Sequence, residues 1–208
     1  MKNTKALIWR NLFYFLGLWF VALGVVFTIQ AQLGVSPWDV LHIGLAKVTQ
    51  LSIGISTILV SGVVVSVLIV LDRKQIRWGM VGNLVLIGIF IDIIINYNLI
   101  PATDRLMNKW IWLLLGLVIQ AYGLSLYITA NFGAGPRDSL MLALHQKSKM
   151  SIRMIRTIIE VSVLSIGWLM GGPVSIGTLV LAFLNGPFIQ YFLELNRSLL
   201  NRLTFEKK

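Results

Sequence analysis

GVSPWDVL at residues 34–41 and GAGPRDSL at residues 133–140 lie ninety-nine residues apart, and Gly, Pro, Asp and Leu keep their places in both. A shift of 99 aligns residues 17–53 with residues 116–152 and leaves 13 of 37 positions identical. So biased a composition would give about three or four by chance, so an internal repeat is expected. The matched pairs include Gly24 with Gly123, Gly34 with Gly133, Pro37 with Pro136 and Asp39 with Asp138. At a shift of 98 the match resumes, GIFID at residues 88–92 over GPFIQ at residues 186–190, with Gly79 over Gly177.

Composition sets the solvent for both copies. The 208 residues are 57% hydrophobic and 12% charged, about half the charge of a soluble domain. Apolar runs at residues 12–29, 53–71, 79–95, 110–130, 154–170 and 174–193 each approach the roughly 20 residues that a helix needs to cross the bilayer. Continuous apolar runs favour helices over a β-barrel. The first run comes after a basic start, as in a signal peptide, but it is long for one and QAQLGV is a poor cleavage site, so it is read as a permanent helix. The net charge of +10 sorts by side. With the N-terminus in the cytoplasm, fifteen Lys and Arg fall inside, Lys2, Lys207 and Lys208 among them, and three outside, Lys47, Arg105 and Lys109. That is a positive-inside pattern, so the charge says nothing of nucleic acid. Both termini are expected in the cytoplasm. Cysteine is absent, which excludes disulfides, thiolate metal sites and a cysteine nucleophile.

Three spans per copy is an odd number, so the second copy enters from the opposite side. The expected fold is an all-α integral membrane protein of six helices in two inverted three-helix repeats. Repeat 1 covers about residues 11–97, a linker residues 98–109, repeat 2 about residues 110–195, and a cytoplasmic tail residues 196–208. Within the motif, Ser36 reads as an N-cap, Pro37 suits the first helical position, and Asp39 complements the helix dipole from the first turn. Gly135, Pro136 and Asp138 repeat the pattern, while Gly34 and Gly133 allow a sharp turn. The segments just after the motifs, residues 40–50 and 139–150, are too short to cross, so each copy carries a short re-entrant or interfacial helix. These are either capped turns with a structural role, half-helices aimed at a solute site near the midplane, or a partner-docking loop. Trp38 reads as an interfacial belt residue and Arg137 as a positive-inside anchor.

LGVSPWDVLHIGL, FGAGPRDSLM and the GPFIQ segment resemble the YitT/YczE group of bacterial multi-pass membrane proteins, and the resemblance extends over nearly the whole chain. It implies a bacterial plasma membrane and supplies no catalytic or binding residues. The group's pattern has Asp in the GPFID segment. Repeat 1 keeps it as Asp92, whereas repeat 2 has Gln190, which argues against a strictly symmetric two-carboxylate site.

Ionisable groups within spans are functional candidates, because burying them in lipid costs free energy. Glu160 lies near the middle of its span, either paired with Arg156 one turn earlier or serving a solute. Asp92 is either a snorkelling residue near the outer end or part of a pathway. Gln120, Asn185 and Gln190 are neutral and suited to joining helices. His42 and His145 read as solvated surface residues. Gly167 and Gly171 form a GxxxG pair, serving either a homodimer face or close packing within one chain. No HExxH, GxSxG, P-loop or dinucleotide fingerprint is present, so no cofactor or metal is expected. The candidate solute path is Gly34, Pro37, Asp39, Gly133, Pro136, Asp138, Asp92, Glu160, Asn185 and Gln190. The leading expectation is a permease for a small solute, with the bilayer as its surroundings. The alternative is an accessory protein that docks a partner through the basic residues 137–156, and an intramembrane enzyme stands third.

Overall fold

Lipid offers backbone amides no partner, so each apolar run closes its own hydrogen bonds as a helix. A computed structural model describes residues 2–204, and every regular element among them is helical. In order these are α1 (Lys2–Ala31), α2 (Pro37–Thr49), α3 (Ile53–Leu71), a 3-10 turn (Arg73–Gln75), α4 (Trp78–Asn96), α5 (Leu106–Ala130), α6 (Pro136–Lys147), α7 (Ile152–Leu169) and α8 (Ile176–Thr204). Five of them, α1, α3, α4, α5 and α8, are long and apolar enough to cross a membrane. The sixth expected span forms the 18-residue α7, but Arg153, Arg156 and Glu160 place three charges in it and set it apart by composition. Lys207, Lys208 and the end of the tail lie outside the described residues.

The two long helices α1 and α5 pack at the centre. Gly17 lies against Gly123 and Gly24 against Gly116, so the helices run antiparallel, and a Cβ at any of the four would meet the facing backbone. Under the shift of 99 the first contact becomes the second. The same exchange recurs elsewhere. Gly177 N–H donates to Leu33 C=O at 2.7 Å, and Gly79 N–H donates to Phe132 C=O at 3.2 Å. Each bond docks the start of α8 or α4 on the turn that ends the other half's first helix. Ser52 caps α3 by accepting from Ile55 N–H at 3.1 Å, and Ser151 caps α7 by accepting from Met154 N–H at 3.3 Å. Leu18, Val21, Ala22, Val25 and Val26 of α1 and Leu126 of α5 fill the core around this crossing.

The halves differ in how their second and third long helices pack. Gly54 of α3 and Gly88 of α4 touch backbone to backbone, and Asp92 ties the two helices by accepting from Ser52 Oγ at 2.5 Å and Gly54 N–H at 2.8 Å. The equivalent positions in the other half are Arg153, Gly186 and Gln190. Gly186 has open space where its Cβ would stand, Gln190 is exposed, and α7 packs against α2 and α6 rather than along α8. The surface role considered for Asp92 is thus corrected. A carboxylate one turn from the end of α4 meets free N–H groups at the start of α3 and satisfies them.

Candidate functional site

After α1 the chain turns at Gly34 (φ +98°), and after α5 at Gly133 (φ +133°), in a region that disfavours any side chain. Both turns lead into extended backbone at Ser36 and Gly135, and Pro37 and Pro136 then open α2 and α6. Proline fits there because the first helical N–H has no intrahelical acceptor. Ser36 takes the N-cap position, but its hydroxyl donates to Asp39 Oδ2 at 2.5 Å instead of accepting a backbone N–H. The expected cap is thus corrected: a buried carboxylate is a stronger acceptor than any available to the hydroxyl elsewhere.

The two helix starts meet at their tips. Arg137 extends from the second copy over the first, with its guanidinium 5.0 Å from the centre of the Trp38 ring and Nη2 3.9 Å from Asp39 Oδ1. Asp39 is 2% exposed, and His42 Nδ1 lies 3.5 Å from its Oδ1. Trp38 and His42 are buried, so neither the belt role of Trp38 nor the solvated role of His42 holds, and Arg137 is more than a surface anchor. The cause is common to all three. A buried carboxylate gathers the nearest donors and cation around it. His145 does lie at the surface, with Nδ1 2.9 Å from Met150 C=O.

Between the tips opens a cavity of about 230 Å³. Ser36, Pro37, Trp38 and Asp39 line it from one copy and Gly135, Pro136, Arg137 and Asp138 from the other. Most of the rest of the lining also comes in equivalent pairs, Tyr127, Ile128, Met141, Ile159 and Ala182 excepted: Val21 with Gln120, Val25 with Leu124, Thr57 with Arg156 and Ser61 with Glu160 at a shift of 99. Asn83 with Leu181, Ile87 with Asn185 and Ile91 with Ile189 pair at a shift of 98. Arg156 Nε donates to Glu160 Oε1 at 2.8 Å, the pairing expected one turn apart. Tyr127 hydroxyl donates to Asp138 Oδ2 at 3.3 Å. The buried oxygens Gln120 Oε1 and Asn185 Oδ1 have no hydrogen-bond partner.

Of the expected path residues, Pro37, Asp39, Pro136, Asp138, Glu160 and Asn185 are brought together here. Gly34 and Gly133 set the turns behind it, beside Thr178 and Arg77. Asp92 and Gln190 stand apart, in the α3–α4 staple and on the exposed face of α8. Sequence reasoning missed Thr57, Ser61, Asn83 and Tyr127. The first two were within reach, since shifting Arg156 and Glu160 back by 99 lands on them. Gly167 packs against Val40 and Leu41 of α2, so it serves close packing within the chain. No cluster of His, Asp or Glu suited to a metal ion occurs among the described residues.

Comparison with known proteins finds a family and several relatives along most of the chain. A family described as of unknown function, DUF6198, matches residues 8–194. The uncharacterized membrane protein YczE of Bacillus subtilis is 37% identical over 202 residues, covering 97% of this chain and 92% of the relative. An uncharacterized protein of Haemophilus influenzae is 34% identical over 169 residues, 80% of this chain and 75% of the relative. The uncharacterized protein YyaS of Bacillus subtilis is 31% identical over 188 residues, 89% of this chain and 93% of the relative. No solved structure matches significantly.

Proposed function

The chain belongs to the DUF6198 family and resembles a membrane protein along nearly its whole length, and from that premise we propose that it is a permease for a small solute in a bacterial plasma membrane. In this reading six helices cross, both termini lie in the cytoplasm, and the two three-helix halves are inverted copies about an axis in the membrane plane. The observation that carries it is the cavity where the two motif copies meet tip to tip, walled by equivalent residues of both halves. The antiparallel α1–α5 crossing supports the inversion. The charges of α7 fit a sixth span because Arg156 and Glu160 pair with each other and line the cavity.

Alternating access rests on this difference in packing between the halves. In this reading the half stapled at α3–α4 closes the cavity on its side, and the cavity opens between α7 and α8, which pack little against each other, beside Arg156, Glu160 and Asn185. With positive charge inside, that opening faces the cytoplasm. Exchanging the two conformations would close α7 on α8 and part α3 from α4. No bond of the solute is made or broken in this cycle.

Single cysteines test the inversion, since the chain has none of its own. Thr49→Cys and Met107→Cys, both at exposed positions, are expected to react with an impermeant thiol reagent from outside intact cells. Ser148→Cys is expected to react only after the membrane is opened. Labelling of Thr49→Cys and Ser148→Cys from one side would remove the inversion and the permease with it. A partner-docking role through the basic loop is favoured less, since Arg137 and Arg156 line the cavity and leave Lys147, Lys149 and Arg153 at the exposed surface.

A further inference from the structure

We propose that the cavity between the helix tips takes a small organic cation, its N–H groups held by Asp138 and by the amide oxygens of Gln120 and Asn185. This deepens the permease reading, on which the solute's passage rests, although its binding does not.

Charge is the first argument. The lining carries three carboxylates, Asp39, Asp138 and Glu160, and two guanidiniums, Arg137 and Arg156. Each guanidinium is already engaged. Arg137 lies over Trp38 and beside Asp39, and Arg156 is bonded to Glu160. That leaves Asp138 with no Lys, Arg or His within 4.0 Å among the described residues, and with the Tyr127 hydroxyl at 3.3 Å as its hydrogen-bond donor. Asp138 is half-buried, and Arg137 and Arg156 act on it only from beyond that distance; a carboxylate removed from water without a direct ion pair is costly, and a bound cation lowers that cost. An anion would have to compete with Asp39 and Glu160 for the two guanidiniums.

The second argument is independent of charge. Gln120 is 3% exposed, and its Oε1 has no donor, as Asn185 Oδ1 has none on the facing helix α8. Buried carbonyl oxygens are nearly always satisfied, and here both belong to the cavity wall. Three acceptors on α5, α6 and α8 around one space ask for a ligand with several N–H donors. Its size leaves room for more than a bare ion. About 230 Å³ far exceeds the ~10–15 Å³ that one water requires, and no metal-type cluster lies among the described residues.

The test uses the full-length protein in detergent with three probes of similar shape: methylguanidinium, the neutral N-methylurea and the anion acetate, at matched ionic strength. Methylguanidinium alone is expected to raise the melting temperature. Asp138→Asn is expected to weaken its apparent affinity about ten- to a hundredfold, the loss typical of a charged hydrogen-bond partner. Asn185→Asp, which adds a second unpaired carboxylate, is expected to tighten it and decides the matter should Asp138→Asn fail to fold. Equal stabilisation by methylurea or acetate, no stabilisation by any probe, an unaltered affinity in Asp138→Asn, or no tightening in Asn185→Asp would each overturn the proposal. Flux of methylguanidinium into liposomes is then measured with the same variants. Asp138-dependent binding without flux would uphold the cation site and overturn the permease.

Discussion

Arg137 shows how much one side chain decides. It spans from the second copy of the motif to the first, so the two helix tips are joined by a guanidinium held between an indole face and a buried carboxylate. Cation–π contacts are worth about 0.5–2 kcal/mol depending on desolvation, and a planar guanidinium stacks where an ammonium does not. A double-mutant cycle of Arg137→Gln and Asp39→Asn, read by thermal unfolding, is therefore expected to show a coupling of about 0.5–3 kcal/mol. Additive effects would mean that the tips do not hold each other. None of this was legible in advance. A charge count assigns an arginine beside a span to the membrane surface, and an alignment of copies reveals equivalence without revealing contact. Thr57 was within reach of the repeat but overlooked for another reason. A hydroxyl in an apolar helix usually bonds its own backbone, and Thr57 Oγ1 does donate to Ile53 C=O at 2.9 Å while also lining the cavity.

At the scale of the element, turn chemistry was the readable part. Gly34, Pro37, Gly133 and Pro136 announced a sharp turn into a short helix, and both short helices start at the predicted prolines. Gly34→Ala is expected to destabilise the protein by at least about 1–2 kcal/mol, from the left-handed backbone alone, and by more because its Cβ would run into Thr178 Oγ1 and the Ser175 backbone. Gly186→Ala, set in open space, is expected to cost a few tenths of that at most, since alanine suits a helix better than glycine. Melting of the two variants side by side checks the contrast. The short helices were harder to place than to find, because length shows that a helix cannot cross but not where its tip ends. The expected sixth span, α7, differs from the other five in composition. Arg156 and Glu160 pair with each other and line the cavity, and Arg153 is exposed near the start of the helix, so composition alone does not tell how these charges are accommodated.

For the whole molecule, the repeat predicted more than equivalent sequences. Pairs of contacts exchange under one shift: Gly17 on Gly123 with Gly116 on Gly24, and Gly79 on Phe132 with Gly177 on Leu33. The departure from that symmetry lies where Asp92 faces Gln190 across the alignment, the substitution already visible in the sequence. If the two halves trade conformations during transport, the untied half must at times adopt the tied form. Arg153 and Gln190 stand at the positions equivalent to Gly54 and Asp92, which touch. The direct measurement is therefore to cross-link Arg153→Cys with Gln190→Cys and track a third cysteine in the cavity wall, Ala182→Cys. Before cross-linking, that cysteine is expected to react with an impermeant reagent from the cytoplasmic side. After it, reaction from inside should be lost and reaction from outside gained. A cysteine that stays reactive from inside, or becomes unreachable from either side, would contradict alternating access through this cavity.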